Sequence, residues 1–294
     1  MRIGAKVPNS GPLPTQIGIP AMARILEAAG FESLWVSDHI VMPASIESRY
    51  PFAADGRATW SPDTPYLEAL VALALVAAAT ERATIGTAVL VLPLRNPVEF
   101  AKQAASIDVA SGGRLELGVG AGWLREEFEA LNVPFERRGA RLEEWMEIAR
   151  GCWTGRPSSR QSEHYLLPDG VVCLPAPAHK IPLLVGGHSD AALRRAGRVG
   201  DGWLAQQSLP ALDPAELVRA TATVRDASVR AARDPDALRV VLRVVDSAGR
   251  SEDVARQLSA LAAAGVGEII VDVPWDDGDP AAEAARLREA AARL

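Results

Sequence analysis

Short segments typical of buried β-strands alternate with longer helical patterns from one end of this chain to the other. Eight strand segments can be recognised: Arg2–Val7, Ser33–Ser37, Ala83–Leu92, Arg114–Val119, Ile181–Val185, Gly202–Ala205, Leu238–Val245 and Glu268–Val273. Strands that alternate with helices pair in parallel through right-handed crossovers. Eight units close the (β/α)8 barrel, with an open, doubly wound sheet as the alternative. We therefore predict an α/β fold, a (β/α)8 TIM barrel.

The helical patterns between these strands have the lengths expected of helices that cover a barrel. They are Ile19–Ala29, Pro65–Ala79, Val98–Ala110, Arg125–Leu131, Arg141–Trp153, Ala191–Val199, Ala215–Ala232, Glu252–Ala264 and Ala281–Arg293. The length of 294 residues would allow two average domains, but α/β barrels of this length commonly form one. We predict a single domain over residues 1–294.

Two insertions interrupt the alternation. Ile40–Thr64 follows the second strand and Gly155–Lys180 precedes the fifth, and both are rich in proline. Loops this long are uncommon in compact domains and often cover binding sites. The first follows the carboxyl end of a strand, so a functional role is favoured for it over surface decoration. For the second the sequence leaves the choice open.

Charge and composition exclude several classes of function. The net charge is -6 and the sequence has no long basic run. We therefore expect no binding to nucleic acid or to an anionic membrane. The apolar stretch Ala69–Ala79 is too short to span a bilayer, and the N-terminus lacks the apolar core of a secretory signal, so we expect a cytoplasmic protein. The two cysteines and four histidines show no spacing typical of metal ligands, so no metal site is predicted.

The carboxyl ends of the predicted strands select the candidate site residues, because barrel enzymes build their sites at that end. The candidates are Lys6 and Asn9, Asp38 and His39, residues 87–93, the run Gly118–Gly122 with Trp123, and the segment Gly186–Ser189.

Asp38 and His39 form the predicted catalytic pair. Histidine titrates near neutrality and can exchange a proton with a substrate, and a neighbouring carboxylate can fix its tautomer. The alternative is a histidine hydrogen-bonded within the barrel rim for structural reasons.

Two glycine-containing motifs predict contacts with a flat, phosphorylated ligand. In VGGHSDAAL, Gly186 and Gly187 allow close backbone approach, and Ser189 can cap a helix whose N-terminus attracts an anion, although a plain turn and cap would look the same. GVGAGW fails as a dinucleotide fingerprint because Trp123 replaces its third glycine, and it favours backbone close to a ligand or a neighbouring strand. Arg194 and Arg195 could meet an anionic tail or form a solvated helix face.

Four segments together resemble the luciferase-like flavin oxidoreductases, and most of all their coenzyme F420-dependent branch. They are GFESLWVSDH, IGTAVLVLPLRNPVEFAKQAASIDVASGGRLELGVGAGW, EFEALNVPFERRGARLEEW and PLLVGGHSDAALRRAGRVGDGW. The resemblance runs from the first strand to about Trp203 and is weaker beyond it. It implies the (β/α)8 barrel, usually as a homodimer.

The resemblance also implies roles for individual residues. A non-proline cis peptide at Ala88–Val89, after Thr87, would lie behind the flavin ring, close to Gly120. The coenzyme phosphate would lie on Gly186, Gly187, His188 and Ser189, and Asp38 and His39 would line the reactive face of the ring.

One position departs from a relative within this branch. A sugar-phosphate dehydrogenase of the family has a catalytic glutamate where this chain has Trp123. We therefore expect a different substrate, an unsaturated or aromatic small molecule packed against Tyr50, Trp60 and Trp123.

These observations predict hydride transfer between F420 and an unsaturated, imine or carbonyl small molecule, with His39 exchanging the proton and Asp38 orienting it. The alternative is an FMN-dependent monooxygenase that uses reduced flavin and O2 and depends on a separate flavin reductase. A further alternative is a family member that binds flavin without catalysis, and the Asp38–His39 pair argues against it. Another is a metal-dependent hydrolase, and the absence of metal-ligand clusters argues against that.

Overall fold

A computed structural model describes residues 1–53, 55–58, 61–276 and 278–294, and it confirms the closed barrel. The strands are β1 Arg2–Lys6, β2 Ser33–Val36, β3 Thr84–Val91, β4 Leu115–Gly120, β5 Arg160–Gln161, β6 Leu166–Leu167, β7 Leu183–Gly186, β8 Gly202–Ser208, β9 Arg239–Val245 and β10 Glu268–Val271. The barrel runs β1-β2-β3-β4-β7-β8-β9-β10 and closes through parallel pairing of β10 with β1. The short antiparallel pair β5–β6 lies in the second insertion and was not predicted.

Within the described residues, nine helices lie at the positions that the sequence predicts, with some shifted ends, and the short helix α1 was not predicted. The helices are α1 Leu13–Gln16, α2 Ile19–Ala29, α3 Ala69–Ala79, α4 Pro97–Ala110, α5 Arg125–Ala130, α6 Arg138–Cys152, α7 Asp190–Val199, α8 Pro214–Arg230, α9 Ser251–Ala263 and α10 Pro280–Ala291. The outward-facing strand residues and the inner faces of the helices form the main hydrophobic core.

The predicted start of α3 at Pro65 is wrong, because the residues before Ala69 pair with the chain after β1. The Asn9 amide donates to the Leu67 carbonyl at 2.9 Å, and a β-bridge joins Ser10 to Tyr66. These contacts hold residues 65–67 beside the chain after β1, and the Glu68 side chain then caps the helix. As a result Tyr66 lies beside the barrel mouth.

The middle of the barrel is filled by a small apolar cluster around Trp35. This cluster is separate from the outer core and comprises Trp35, Ala88, Leu184, Leu204, Val241 and Ile270. Gly86 makes the room for it, since a Cβ on Gly86 would lie 2.5 Å from the indole ring. The barrel is therefore packed and solid below its mouth, as expected for this fold.

The amino-terminal end of the barrel is closed by a charge network. Arg2 and Arg239 each lie within ion-pair distance of Glu116 and Glu268, at 2.8 to 3.3 Å. Burial raises the pKa of Glu268, and the two arginines oppose that shift. With this end closed, the carboxyl ends of the strands remain as the open face.

Within the described ranges no helix is both long enough and apolar enough to cross a membrane.

Candidate active site

The carboxyl ends of the barrel strands form a mouth with two unlike sides. We call Ala88, Val89, Gly120 and Gly186 the glycine side; they belong to β3, β4 and β7. We call Lys6, Gln206, Arg243 and Asp272 the polar side; they belong to β1, β8 and β9 or directly follow β10. The two sides face each other, because β1 and β7 are half a turn apart in the barrel order.

On the glycine side, the predicted cis peptide between Ala88 and Val89 is present. The Val89 side chain lies against both predicted glycines, since a Cβ added to Gly120 or to Gly186 would come within 2.8 Å of it. Thr87 donates from its hydroxyl to the Gly118 carbonyl at 2.8 Å and ties β3 to β4. Four of the predicted cofactor residues, Ala88, Val89, Gly120 and Gly186, thus lie together, and Val89 fills the space left by the two glycines as an apolar shelf.

The remaining predicted cofactor residues form the turn into α7. Gly187 has a φ of 115°, a conformation that favours glycine, and the Ser189 hydroxyl accepts from Ala192 N at 3.3 Å. Trp203 donates to the Gly187 carbonyl at 2.9 Å. The turn therefore presents a capped helix N-terminus at the edge of the glycine side.

The His188 imidazole is held against β8. Its Nε2 accepts from Gln206 N at 3.0 Å, which leaves the proton on Nδ1, 3.3 Å from Glu216 Oε1. The ring is fixed between the turn and the polar side, so any cofactor contact at this residue would come from its backbone or its ring edge.

His39 lies at the mouth, but its carboxylate partner is Glu127. His39 Nδ1 lies 3.0 Å from Glu127 Oε2, and the other oxygen of this buried carboxylate accepts from Ile40 N at 2.6 Å. Glu127 lies in the first turn of α5 and was missed by the sequence analysis. The local signal is the acidic pair Glu126–Glu127, which begins four residues after Gly122.

From the sequence we expect Asp38 to pair with His39, whereas in the structure Asp38 pairs with Arg95. Both Asp38 oxygens are engaged by Arg95, at 2.7 and 2.8 Å, and Val91 N donates to one of them at 2.8 Å. Although its burial acts in the opposite direction, Arg95 has a raised pKa because the carboxylates of Asp38 and Glu68 stabilise its charge. Adjacent residues after a strand point apart, and the buried arginine outcompetes the neighbouring ring for the carboxylate. Asp38 is therefore a positioning residue that fixes the end of β3.

The first insertion is fastened over the mouth by α5. The Glu126 carboxylate accepts from Glu47 N at 2.6 Å, from Ser48 N at 2.9 Å and from the Ser48 hydroxyl at 2.6 Å. These bonds outweigh the opposing effect of partial burial and lower the pKa of Glu126 to about 2. The two neighbouring glutamates of α5 thus hold His39 and the insertion together.

Aromatic rings surround His39. We call Tyr50, Phe52, Tyr66 and Trp123 the aromatic wall. The Tyr50 and Trp123 centroids are 5.1 Å apart, and His39 lies 6.2 Å from Trp123 and 5.6 Å from Tyr66. Two of the predicted substrate residues, Tyr50 and Trp123, are therefore brought together beside His39, and the third, Trp60, lies outside the described residues.

Both arginines considered for an anionic tail have carboxylate partners. Arg195 is nearly buried and binds Glu143 at 3.0 Å, while the exposed Arg194 pairs with Asp190 at 3.0 Å, one helical turn away. The structure therefore favours the solvated-face alternative for Arg194 and a packing role for Arg195. No group of three or more metal-ligating side chains occurs in the parts of the chain that the structure describes.

The closed parallel barrel, with a histidine held by a buried carboxylate at its mouth, defines an α/β-barrel protein. The family model described as luciferase-like monooxygenase matches residues 8–293, and the chain belongs to that family.

The chain is similar to two sequence relatives and, in fold, to one solved structure. The chain is 41% identical to an uncharacterized protein of Mycobacterium tuberculosis over 204 residues, 69% of each chain. It is 32% identical to the F420-dependent glucose-6-phosphate dehydrogenase of Amycolatopsis mediterranei over 188 residues, 60% of this chain and 50% of that protein. The structure superposes on an F420-dependent secondary alcohol dehydrogenase in complex with an F420-acetone adduct with a TM-score of 0.77, 16% identity and 97% coverage of both chains.

Proposed function

We propose that this protein is an oxidoreductase that transfers a hydride between coenzyme F420 and an unsaturated, imine or carbonyl small molecule. The observation that carries the proposal is the contact between Glu127 and His39, beside both the aromatic wall and the glycine side of the mouth. Addition of a hydride to a substrate needs a proton donor and its removal needs a proton acceptor, and a histidine beside an apolar site can serve as either. The name of the Amycolatopsis mediterranei relative supports F420 as the coenzyme.

The residues of the glycine side fit a tricyclic coenzyme. The Val89 side chain fills the space that side chains at positions 120 and 186 would take, so a planar ring could rest on Val89 itself. The turn at Gly187 and Ser189 would hold the phosphate, because the first amides of α7 and its dipole favour an anion. When bound, the deazaflavin would supply a carbon, C5, that gives or takes the hydride.

His39 would exchange the proton that accompanies the hydride. Glu127 accepts from the Nδ1 side of the ring, so Nε2 is the nitrogen that would face a substrate oxygen, nitrogen or carbon. The Glu127 carboxylate would stabilise the imidazolium and hold the ring plane. Tyr50 and Trp123 would pack against the substrate and keep water from the reacting atoms.

The proposal is tested by anaerobic turnover with reduced F420. A panel of enones, cyclic imines and ketones would be offered, and formation of the oxidised coenzyme would be followed by its absorbance. We expect turnover with members of the panel and its loss in His39→Ala. No turnover with any of them, together with oxygen consumption in the presence of reduced FMN, would contradict the proposal.

The alternative is an FMN-dependent monooxygenase, which the description of the family favours. The residues of the glycine side would contact parts that FMN shares with F420, namely a tricyclic ring, a ribityl chain and a phosphate. Such an enzyme would consume O2 and would need a separate flavin reductase. For either coenzyme we propose a homodimer, which the exposed apolar residues Val71 and Leu75 of α3 support.

A further inference from the structure

Lys6 is a cation inside the barrel mouth that forms no ion pair with any residue the structure describes. It is the last residue of β1, and its side chain points inward like that of Gly4 two residues before it, whose added Cβ would meet Ser33 and Trp35 inside the barrel. Its Nζ lies 3.3 Å from Asn9 Oδ1 and 3.4 Å from the Val7 carbonyl. Across the described ranges, none of the ion pairs includes Lys6.

The nearest charges cannot neutralise it. Arg243, on β9, donates hydrogen bonds from Nη1 to the carbonyls of Val244 and Ile270, at 3.0 and 3.4 Å. Its Nη2 donates to the Asp272 carboxylate. Asp272 directly follows β10, which lies between β1 and β9 in the barrel. Asp272 is paired with Arg243, so the four residues of the polar side carry one unbalanced positive charge when Lys6 is protonated.

Such a charge is unfavourable in a site shielded from water. Burial and the neighbouring Arg243 lower the pKa of Lys6 to about 7, and Asp272 offsets this only in part. A ligand with a single negative charge would supply the missing counter-charge and would receive charge-assisted hydrogen bonds. A dianion would exceed the available positive charge, so a carboxylate fits better than a phosphate.

The polar side is connected to the aromatic wall. Gln206 is the register partner of Arg243, and its side-chain amide donates to the Tyr50 hydroxyl at 3.3 Å. Tyr50 in turn packs against Trp123. A small molecule packed against these rings could therefore extend a polar group towards Lys6. Lys6 lies on the side of the mouth opposite the glycine side.

We propose that Lys6, supported by Arg243, binds a carboxylate of the substrate, so that the substrate is an anionic unsaturated or carbonyl compound. This inference rests on the proposed function only where it calls the bound anion a substrate. A site for a carboxylate beside the aromatic wall stands on the geometry of the polar side alone.

The test uses cofactor-free protein and two matched probes, benzoate and the uncharged benzamide, with binding measured by calorimetry at pH 6.5. We expect benzoate to bind more tightly than benzamide to the unmodified chain. Lys6→Met would weaken benzoate at least about tenfold and leave benzamide unchanged, and Lys6→Arg would retain most of the affinity for benzoate. Lys102→Met, which removes an exposed lysine of α4, is the control and would behave like the unmodified chain.

Two outcomes would overturn the proposal. One is benzoate binding that is absent, no tighter than that of benzamide, or unchanged in Lys6→Met. The other is a Lys6→Met protein that keeps its affinity for benzoate but binds F420 more weakly, which would assign Lys6 to the coenzyme. Failure of the F420 hypothesis alone would leave the benzoate result intact, so the two proposals fail separately.

Discussion

Glu127 holds His39 at the mouth of the barrel, with 3.0 Å between Oε2 and Nδ1, although the two residues are separated by 88 positions in the chain. The carboxylate is almost fully buried and also binds the backbone at the start of the first insertion. It therefore determines both the orientation of the ring and the position of the chain that follows it.

The first prediction concerns this pair. In Glu127→Gln the amide can still meet the backbone of Ile40, but it carries no charge to stabilise a protonated His39. We expect kcat for hydride transfer to fall by about 10- to 100-fold with little change in coenzyme affinity. Steady-state kinetics across pH would measure it, with Glu129→Gln on the exposed face of α5 as the control. An unchanged kcat and pH profile would remove Glu127 from the proton-transfer pathway.

Asp38 is predicted to act on stability more than on chemistry. Asp38→Asn would leave the nearly buried Arg95 with only the partly exposed Glu68 as its counter-ion. We expect the free energy of unfolding to fall by about 3 kcal/mol, because breaking a buried pair leaves a charge uncompensated. Urea unfolding would measure the loss. A stable variant with greatly reduced kcat would return Asp38 to a direct role in catalysis.

The glycine side gives a steric prediction. A methyl group at Gly120 would clash with the Val89 side chain at 2.8 Å and extend over the shelf. Gly120→Ala should therefore weaken binding of the coenzyme at least about tenfold, and combining it with Val89→Ala should restore part of the affinity. Gly151→Ala in α6, where the nearest atom would be 3.7 Å away, is the matched control. If Gly120→Ala bound the coenzyme as tightly as the unmodified chain and the control, the coenzyme ring would not lie on the glycine side.

The polar side gives a pH prediction. With a pKa of about 7, Lys6 is charged below neutrality and loses its proton as the pH rises, next to the ion pair of Arg243 with Asp272. Benzoate affinity should therefore be greatest below pH 7 and fall up to tenfold per pH unit above it. Calorimetry from pH 6 to 9 would follow this, and Lys6→Arg should flatten the profile. If the benzoate affinity of the unmodified chain did not change with pH, protonated Lys6 would not be the group that binds benzoate.

The barrel could be predicted from sequence because its signal is repeated and local. Each strand and helix carries its own pattern, and the site follows from the rule that strand ends converge. The resemblance to a family located the cis peptide between Ala88 and Val89, which no local pattern would indicate.

The partners within the site could not be predicted, because they depend on packing between distant elements. His39 and Glu127 meet only after α5 has folded over the mouth, and the adjacent Asp38 is drawn away by Arg95. The start of α3 was misplaced for a similar reason, since pairing beside Asn9 and Ser10 overrides the local preference for a helix.

The central claim is that the mouth binds a deazaflavin. It is tested most directly by titrating the cofactor-free protein with F420 and, separately, with FMN, following the fluorescence of each coenzyme. The account predicts tight binding of F420 and much weaker binding of FMN, with the F420 affinity reduced in Gly120→Ala. Tight binding of FMN with little or no binding of F420 would contradict it.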